Sequence, residues 1–206
     1  SMQADYIQSW QLISEGVAEC ASHNPQVKVL VEYKPKEPRK HCFVSDMGRT
    51  LLLMKDIDNT GVLLDWGHAL QGGENVAEVS AILSHYGKLD YLHLNDNYRS
   101  WDDDMMVGSV HLVEYIEWFY WLKRVGYKGW LTLDIFPFRE NGIEAARQSR
   151  DWIKLFLDIV DHLDIDQVNR VFGNADACGS VGLIRKALSI SSDIYVKGTA
   201  VKMLTL

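Results

Sequence analysis

Val27-Lys28-Val29-Leu30-Val31-Glu32-Tyr33 is a β-branched run set between Pro25 and Pro35, with two ionisable residues, Glu32 and Lys34, at its end. Branched side chains are stiff at χ1 and suit a pleated surface, so the run predicts a strand. Strand side chains alternate in direction, which puts Glu32 and Lys34 on one face, two residues apart. Upstream, Tyr6, Ile7, Trp10, Ile13 and Val17 recur at helical spacing across residues 4–22, and His23-Asn24-Pro25 stops that helix.

Downstream the strand–helix format repeats. A polar loop leads to a helix over 48–57, and Thr60-Gly61-Val62-Leu63-Leu64-Asp65 is the second strand. Residues 74–86 are amphipathic, with Val76, Val79, Ile82 and Leu83 on one side, and Leu89-Asp90-Tyr91-Leu92-His93-Leu94 is the third strand. A helix over 110–125 precedes the fourth strand, Trp130-Leu131-Thr132-Leu133-Asp134-Ile135. A long helix over 141–162, a polar turn and a helix near 178–188 follow, and residues 189–206 show no clear period. The organisation is one α/β domain over 1–188 and a tail over 189–206.

Apolar strands alternating with helices imply parallel strands covered by helices. Four units fit either an open doubly wound sheet or half of a (β/α)8 barrel, and periodicity alone does not separate them. No glycine-rich phosphate loop follows any strand, which disfavours a nucleotide-binding open sheet.

Each strand closes on ionisable residues: Glu32 with Lys34, then Asp65, His93 and Asp134. The C-terminal ends of parallel strands are where such folds place their chemistry. One acid at one strand end is an ordinary solvated loop residue. Three acids and a histidine converging on one rim repel unless a cation sits among them. His68 lies three residues beyond Asp65, and Asp102-Asp103-Asp104 lies in the loop after the third strand. Asp102 and Asp104 alternate and can turn both carboxylates to one ion; the same triplet also reads as a solvated acidic loop or a helix cap. A ligand set of oxygens with one or two imidazoles suits Mg, Mn or Co and accommodates Zn, unlike a thiolate structural zinc site. His23, His85 and His162 read as surface residues, His111 opens a helix, and His41 is ambiguous. Trp66 and Trp101 fall in the loops around this rim and read equally as pocket lining or as core; Trp118, Trp121 and Trp152 fit helix packing faces.

Composition agrees. The 206 residues are 47% hydrophobic and 24% charged, which is globular. The net charge of −7 disfavours nucleic acid or an anionic membrane as a partner and suits a carboxylate site for divalent cations. Cys20, Cys42 and Cys178 are odd in number and far apart, the pattern of a reduced, cytoplasmic compartment.

Taken in order, Glu32-Tyr33-Lys34, Asp65-Trp66-Gly67-His68, His93, Asp102-Asp103-Asp104 with Gly108, and Asp134 resemble the motifs of the xylose isomerase and L-rhamnose isomerase-like sugar isomerases. The run Glu32-Tyr33-Lys34-Pro35-Lys36-Glu37-Pro38-Arg39, and His93 in place of an aspartate, look most like the rhamnose isomerase-like branch. The resemblance covers roughly residues 4–188. It implies a TIM barrel and an aldose–ketose isomerisation by metal-assisted hydride shift between C2 and C1 of a sugar. It also implies that Glu32, Asp65, His93 and Asp134 hold a structural metal, that Asp65 bridges to a second one, and that His68, Asp102 and Asp104 hold the second, catalytic metal. Lys34 would donate to the sugar's O1.

The family barrel has eight units, and the units recognised here correspond to strands five to eight. The expected partners are therefore a small-molecule sugar and either a second copy of the chain or an N-terminal half-barrel. Two other readings compete: a half-barrel that binds metal or a partner without turnover, and a zinc phosphodiesterase like the endonuclease IV group. The acidic charge and Glu32-x-Lys34 argue against the second.

Overall fold

The computed structural model describes residues 4–194. Four parallel strands form one sheet in the order β1, β4, β5, β6: β1 is Val29–Glu32, β4 Thr60–Asp65, β5 Leu89–Leu94 and β6 Leu131–Leu133. Sequential strands pair side by side in parallel, with Val31 opposite Val62, Asp65 opposite His93 and His93 opposite Thr132. The helices are α1 (Tyr6–His23), α2 (Met47–Met54), α3 (Trp66–Gln71), α4 (Val76–His85), α5 (Leu112–Arg124), α6 (Gly142–Asp161), α7 (Ile165–Gly173) and α8 (Ala177–Ile194).

Capping explains where most helices begin. Asp5, Asp46, Asp65, Asn75, Asn141 and Asp164 each accept a backbone N–H from the first turn of the helix they precede. The core lies between the sheet and α3–α6. Val62, Leu64, Leu92 and Leu94 are fully buried on the helix-facing side, and Tyr115, Trp118, Phe119 and Phe156 cover them. The Trp118 indole N–H donates to Ser80 Oγ at 2.7 Å, so this large side chain is buried without an unpaired donor. The opposite face, with Leu30, Leu63, Tyr91 and Thr132, is only partly buried. The edge strands of this sheet are β1 and β6.

Four local features depart from the sequence reading. The polar loop after β1 contains a small antiparallel hairpin, β2 (Lys36–Glu37) with β3 (Lys40–His41), turned by Arg39 at φ 71. Residues 66–71, left without an element, form α3 because Asp65 caps them. The expected polar turn after α6 holds α7, whose Ile165, Val168 and Phe172 recur at helical spacing in too short a segment to stand out. The tail expected from Ser189 is helical as far as Ile194, and residues 195–206 lie outside the described residues. No helix among the described residues is long and apolar enough to cross a membrane.

Candidate metal centre

The C-terminal ends of the strands bring the acids and imidazoles together. Glu32 ends β1, Asp65 ends β4, His93 lies one residue from the end of β5, and Asp134 follows β6 directly. Each offers a ligand atom within 4.8 Å of the other three. His93 Nδ1 is the hub, 3.1 Å from Glu32 Oε1, 3.1 Å from Asp134 Oδ2 and 3.8 Å from Asp65 Oδ2. A second group, Asp65, His68 and Asp102, meets the same criterion and shares Asp65. There His68 Nε2 lies 3.2 Å from Asp102 Oδ2.

Burial and charge set the protonation of this cluster. Burial pushes the Asp65 carboxyl up to about 6, with the negative Glu32 adding to it. Burial works against the charged form of His68, but the hydrogen bond to Asp102 and the charges of Asp65 and Asp102 outweigh it and push the imidazole up to about 9. His93 is raised by its hydrogen bond to Glu32 and by the charge of Asp134. Burial and the carboxylates of Asp102, Asp134 and Asp65 push Asp104 up to about 7. For Asp102 burial acts upward, and hydrogen bonds from His68 and Lys34 outweigh it and hold the group below its usual range. Raised carboxyls beside raised imidazoles are what a ligand set shows when protons stand in for cations.

Two buried ligand-type atoms of the second group, His68 Nδ1 and Asp102 Oδ1, make no hydrogen bond. Buried polar atoms of this kind are costly unless something bonds them. Oxygen and imidazole donors at this density fit a divalent cation such as Mn, Mg or Co.

Lys34 shares the inward direction of Glu32, and its ammonium bridges Asp102 Oδ2 at 2.7 Å and Glu37 Oε1 at 3.0 Å. It is a donor and a counter-charge, not a ligand. Asp104 departs from the expected pairing with Asp102. Its φ of 46 breaks the extended alternation that would have turned both carboxylates one way. It lies outside both ligand groups, 3.4 Å from Asn95 Nδ2. Gly108 supports the same loop at φ 79, where an added Cβ would meet the Trp152 ring at 2.9 Å.

The two tryptophans left between core and pocket separate. Trp66 is fully buried and stacks on Tyr115 with ring centroids 3.8 Å apart, so it is core. Trp101 is partly exposed, with the Lys36 ammonium 5.5 Å from its ring centroid. His23, His85 and His162 are exposed. His111, read only as a helix opener, is buried and pairs with buried Asp96 at 2.7 Å. Asp96 also accepts the backbone N–H of Val110 and of His111, which fastens the far end of the loop carrying Asp102 and Asp104. Asn95 was also missed, although its place two residues after His93 gives it the same inward face.

Four parallel strands covered by helices, with acids and imidazoles gathered at their C-terminal ends, are compatible with part of a TIM barrel. The chain belongs to the xylose isomerase-like TIM barrel family, whose model matches residues 2–156. Xylose isomerases from Chelativorans sp. (strain BNC1) and Roseobacter denitrificans (strain ATCC 33942 / OCh 114) are 32% and 31% identical to it over 88 residues, covering 40% of this chain and 20% of each relative. The chain thus matches about one-fifth of the length of these relatives. Among solved structures it is similar to an L-ribulose 3-epimerase (TM-score 0.65, 17% identity, covering 78% of this chain and 58% of that one). It is also similar to a D-tagatose 3-epimerase-like protein (TM-score 0.59, 26% identity, covering 76% and 55%). A xylose isomerase domain protein from Alicyclobacillus acidocaldarius subsp. acidocaldarius gives TM-score 0.61 at 19% identity, covering 78% and 62%.

Proposed function

We propose that this chain is the metal-binding part of an aldose–ketose isomerase, corresponding to strands five to eight of the family barrel. The observation that carries the reading is the pair of ligand groups joined by Asp65, with the Lys34 ammonium at their edge. Glu32, Asp65, His93 and Asp134 hold one divalent cation, and Asp65, His68 and Asp102, joined by Asp104, hold a second. Bound cations supply Lewis-acid charge against the sugar's oxygens. The chain's own residues do the rest. Lys34 donates to the sugar's O1 and stabilises negative charge there. The hydride moves between C2 and C1 with its electron pair, so O2 loses a proton and O1 gains one. The proton that leaves O2 is returned to O1, so the conversion consumes no acid or base overall.

A sugar 3-epimerase is a second reading, favoured by the 26% identity to a D-tagatose 3-epimerase-like structure. Incubating the chain with Mn and aldoses deuterated at C2, and separately with ketoses unlabelled at C3, separates the two. Ketose carrying deuterium at C1 supports isomerisation by hydride shift. Ketoses epimerised at C3, with solvent hydrogen there, support the epimerase. Cation uptake without any product contradicts turnover by this chain and leaves a binding half-barrel.

Glu32 and Asp134 stand beside the edge strands of the sheet and are the most exposed members of their group, with side chains 33% and 51% exposed. On this reading further strands close the site, supplied by a second copy of the chain or by an N-terminal half-barrel, and a small sugar binds between the halves.

A further inference from the structure

Asn95 is fully buried, and its amide nitrogen faces two carboxylates at once: Asp65 Oδ2 at 2.9 Å and Asp104 Oδ1 at 3.4 Å. Only the nitrogen end of an amide can do this, because the oxygen has no hydrogen to donate. The other oxygen of Asp65 accepts the backbone N–H of His68 at 2.8 Å. The carboxylate shared by the two ligand groups is therefore held at both oxygens, by the start of α3 on one side and by Asn95 on the other.

Asn95 is itself fixed in place. Its backbone carbonyl accepts the buried Tyr115 hydroxyl. Its side-chain oxygen makes no hydrogen bond and lies over Gly67, where an added Cβ would overlap it. Gly67 is thus what makes room for the amide.

We propose that Asn95 is the positioning residue of this centre: its two amide hydrogens orient the bridging carboxylate of Asp65 and tether Asp104 toward the second group. The inference rests on the two-cation reading above. It adds that both ions depend on one neutral side chain that ligates neither. An amide suits the position, since an ionised aspartate there would add a further negative charge and remove both donors.

The test is calorimetric titration of Mn into the EDTA-stripped and dialysed chain, in wild type, Asn95→Leu and Gly67→Ala. Asn95→Leu keeps the branching and the number of side-chain heavy atoms and removes the donors. Gly67→Ala keeps the donors and forces the amide to turn, so it tests the same role if the first variant folds poorly. Changes behind a metal's direct ligands typically cost about 10- to 100-fold in affinity. Both variants are expected to lose that much at both sites, while circular dichroism and the melting point in EDTA stay near wild type. The visible spectrum of bound Co should also change, which a purely structural role would not produce. Wild-type affinities in both variants would overturn the role of Asn95 alone. A wild-type chain that takes up no cation would overturn this inference together with the two-cation reading.

Discussion

The Lys34 ammonium lies 2.7 Å from Asp102 Oδ2, joining the end of β1 to the loop that follows β5. Charge from the first unit thus neutralises a carboxylate of the third, and a cation entering the second group competes with Lys34 for Asp102. Lys34→Met removes the competitor and the proposed O1 donor together. Turnover is expected to fall by roughly 100- to 1000-fold, the usual loss of one charge-stabilising donor. Mn affinity, read by titration, stays level or tightens. Undiminished turnover, or lost Mn binding, would remove Lys34 from that role.

The pH dependence of the metal-free chain follows from three raised groups. Asp65 at about 6, Asp104 at about 7 and His68 at about 9 all bind protons more tightly in the folded state than their ordinary values allow. A raised group contributes stability that is present below its ordinary pKa and lost as pH climbs through the folded value. The metal-free melting point should therefore fall from pH 3.8 through about 6 and 7 as Asp65 and Asp104 lose their protons, and further from 6.5 to about 9 as His68 does. Cations need these groups deprotonated, so the Mn-induced gain in melting point should grow over the same window. A gain that shrinks from pH 6 to pH 9 would contradict this assignment of protons.

Trp66 directly follows β4 and Trp101 lies in the loop after β5, and the two differ in role. Trp66→Ala removes a ring packed on Tyr115 and Trp118 and is expected to cost about 3–5 kcal/mol in urea denaturation. Trp101→Ala is expected to stay within about 0.5 kcal/mol, as for a surface change. Equal effects would mean that the two rings had been assigned wrongly.

Exposed strand edges favour pairing with another chain. Light scattering across a concentration series is expected to give a mass above the 23.5 kDa of one chain. A clean monomer at high micromolar concentration would exclude a second copy as the closing half.

The sheet and the four members of the strand-end cluster, Glu32, Asp65, His93 and Asp134, were legible because each strand is a short apolar run that closes on an ionisable residue, and period two alone places Glu32 and Lys34 together. The left-handed backbone at Asp104 was not legible, since it leaves no signature in Asp-Asp-Asp. Trp66 was ambiguous because its aromatic partners on α5 lie about fifty residues away in sequence. Asp96 and His111 form a pair only once the intervening loop folds back, which local pattern does not encode. α7 was hidden by its length and polar composition.

The most direct test of the cation centre is thermal unfolding of wild type and of the Asp65→Ala, Asp134→Ala double variant, each in EDTA and in Mn. A ligand at 100 times its dissociation constant stabilises by about 2.7 kcal/mol, which for a chain of this size is roughly 5–10 °C. The expected result is a rise of that order in wild type and none in the double variant. No rise in wild type with Mn or Co, or an equal rise in the double variant, would contradict the centre.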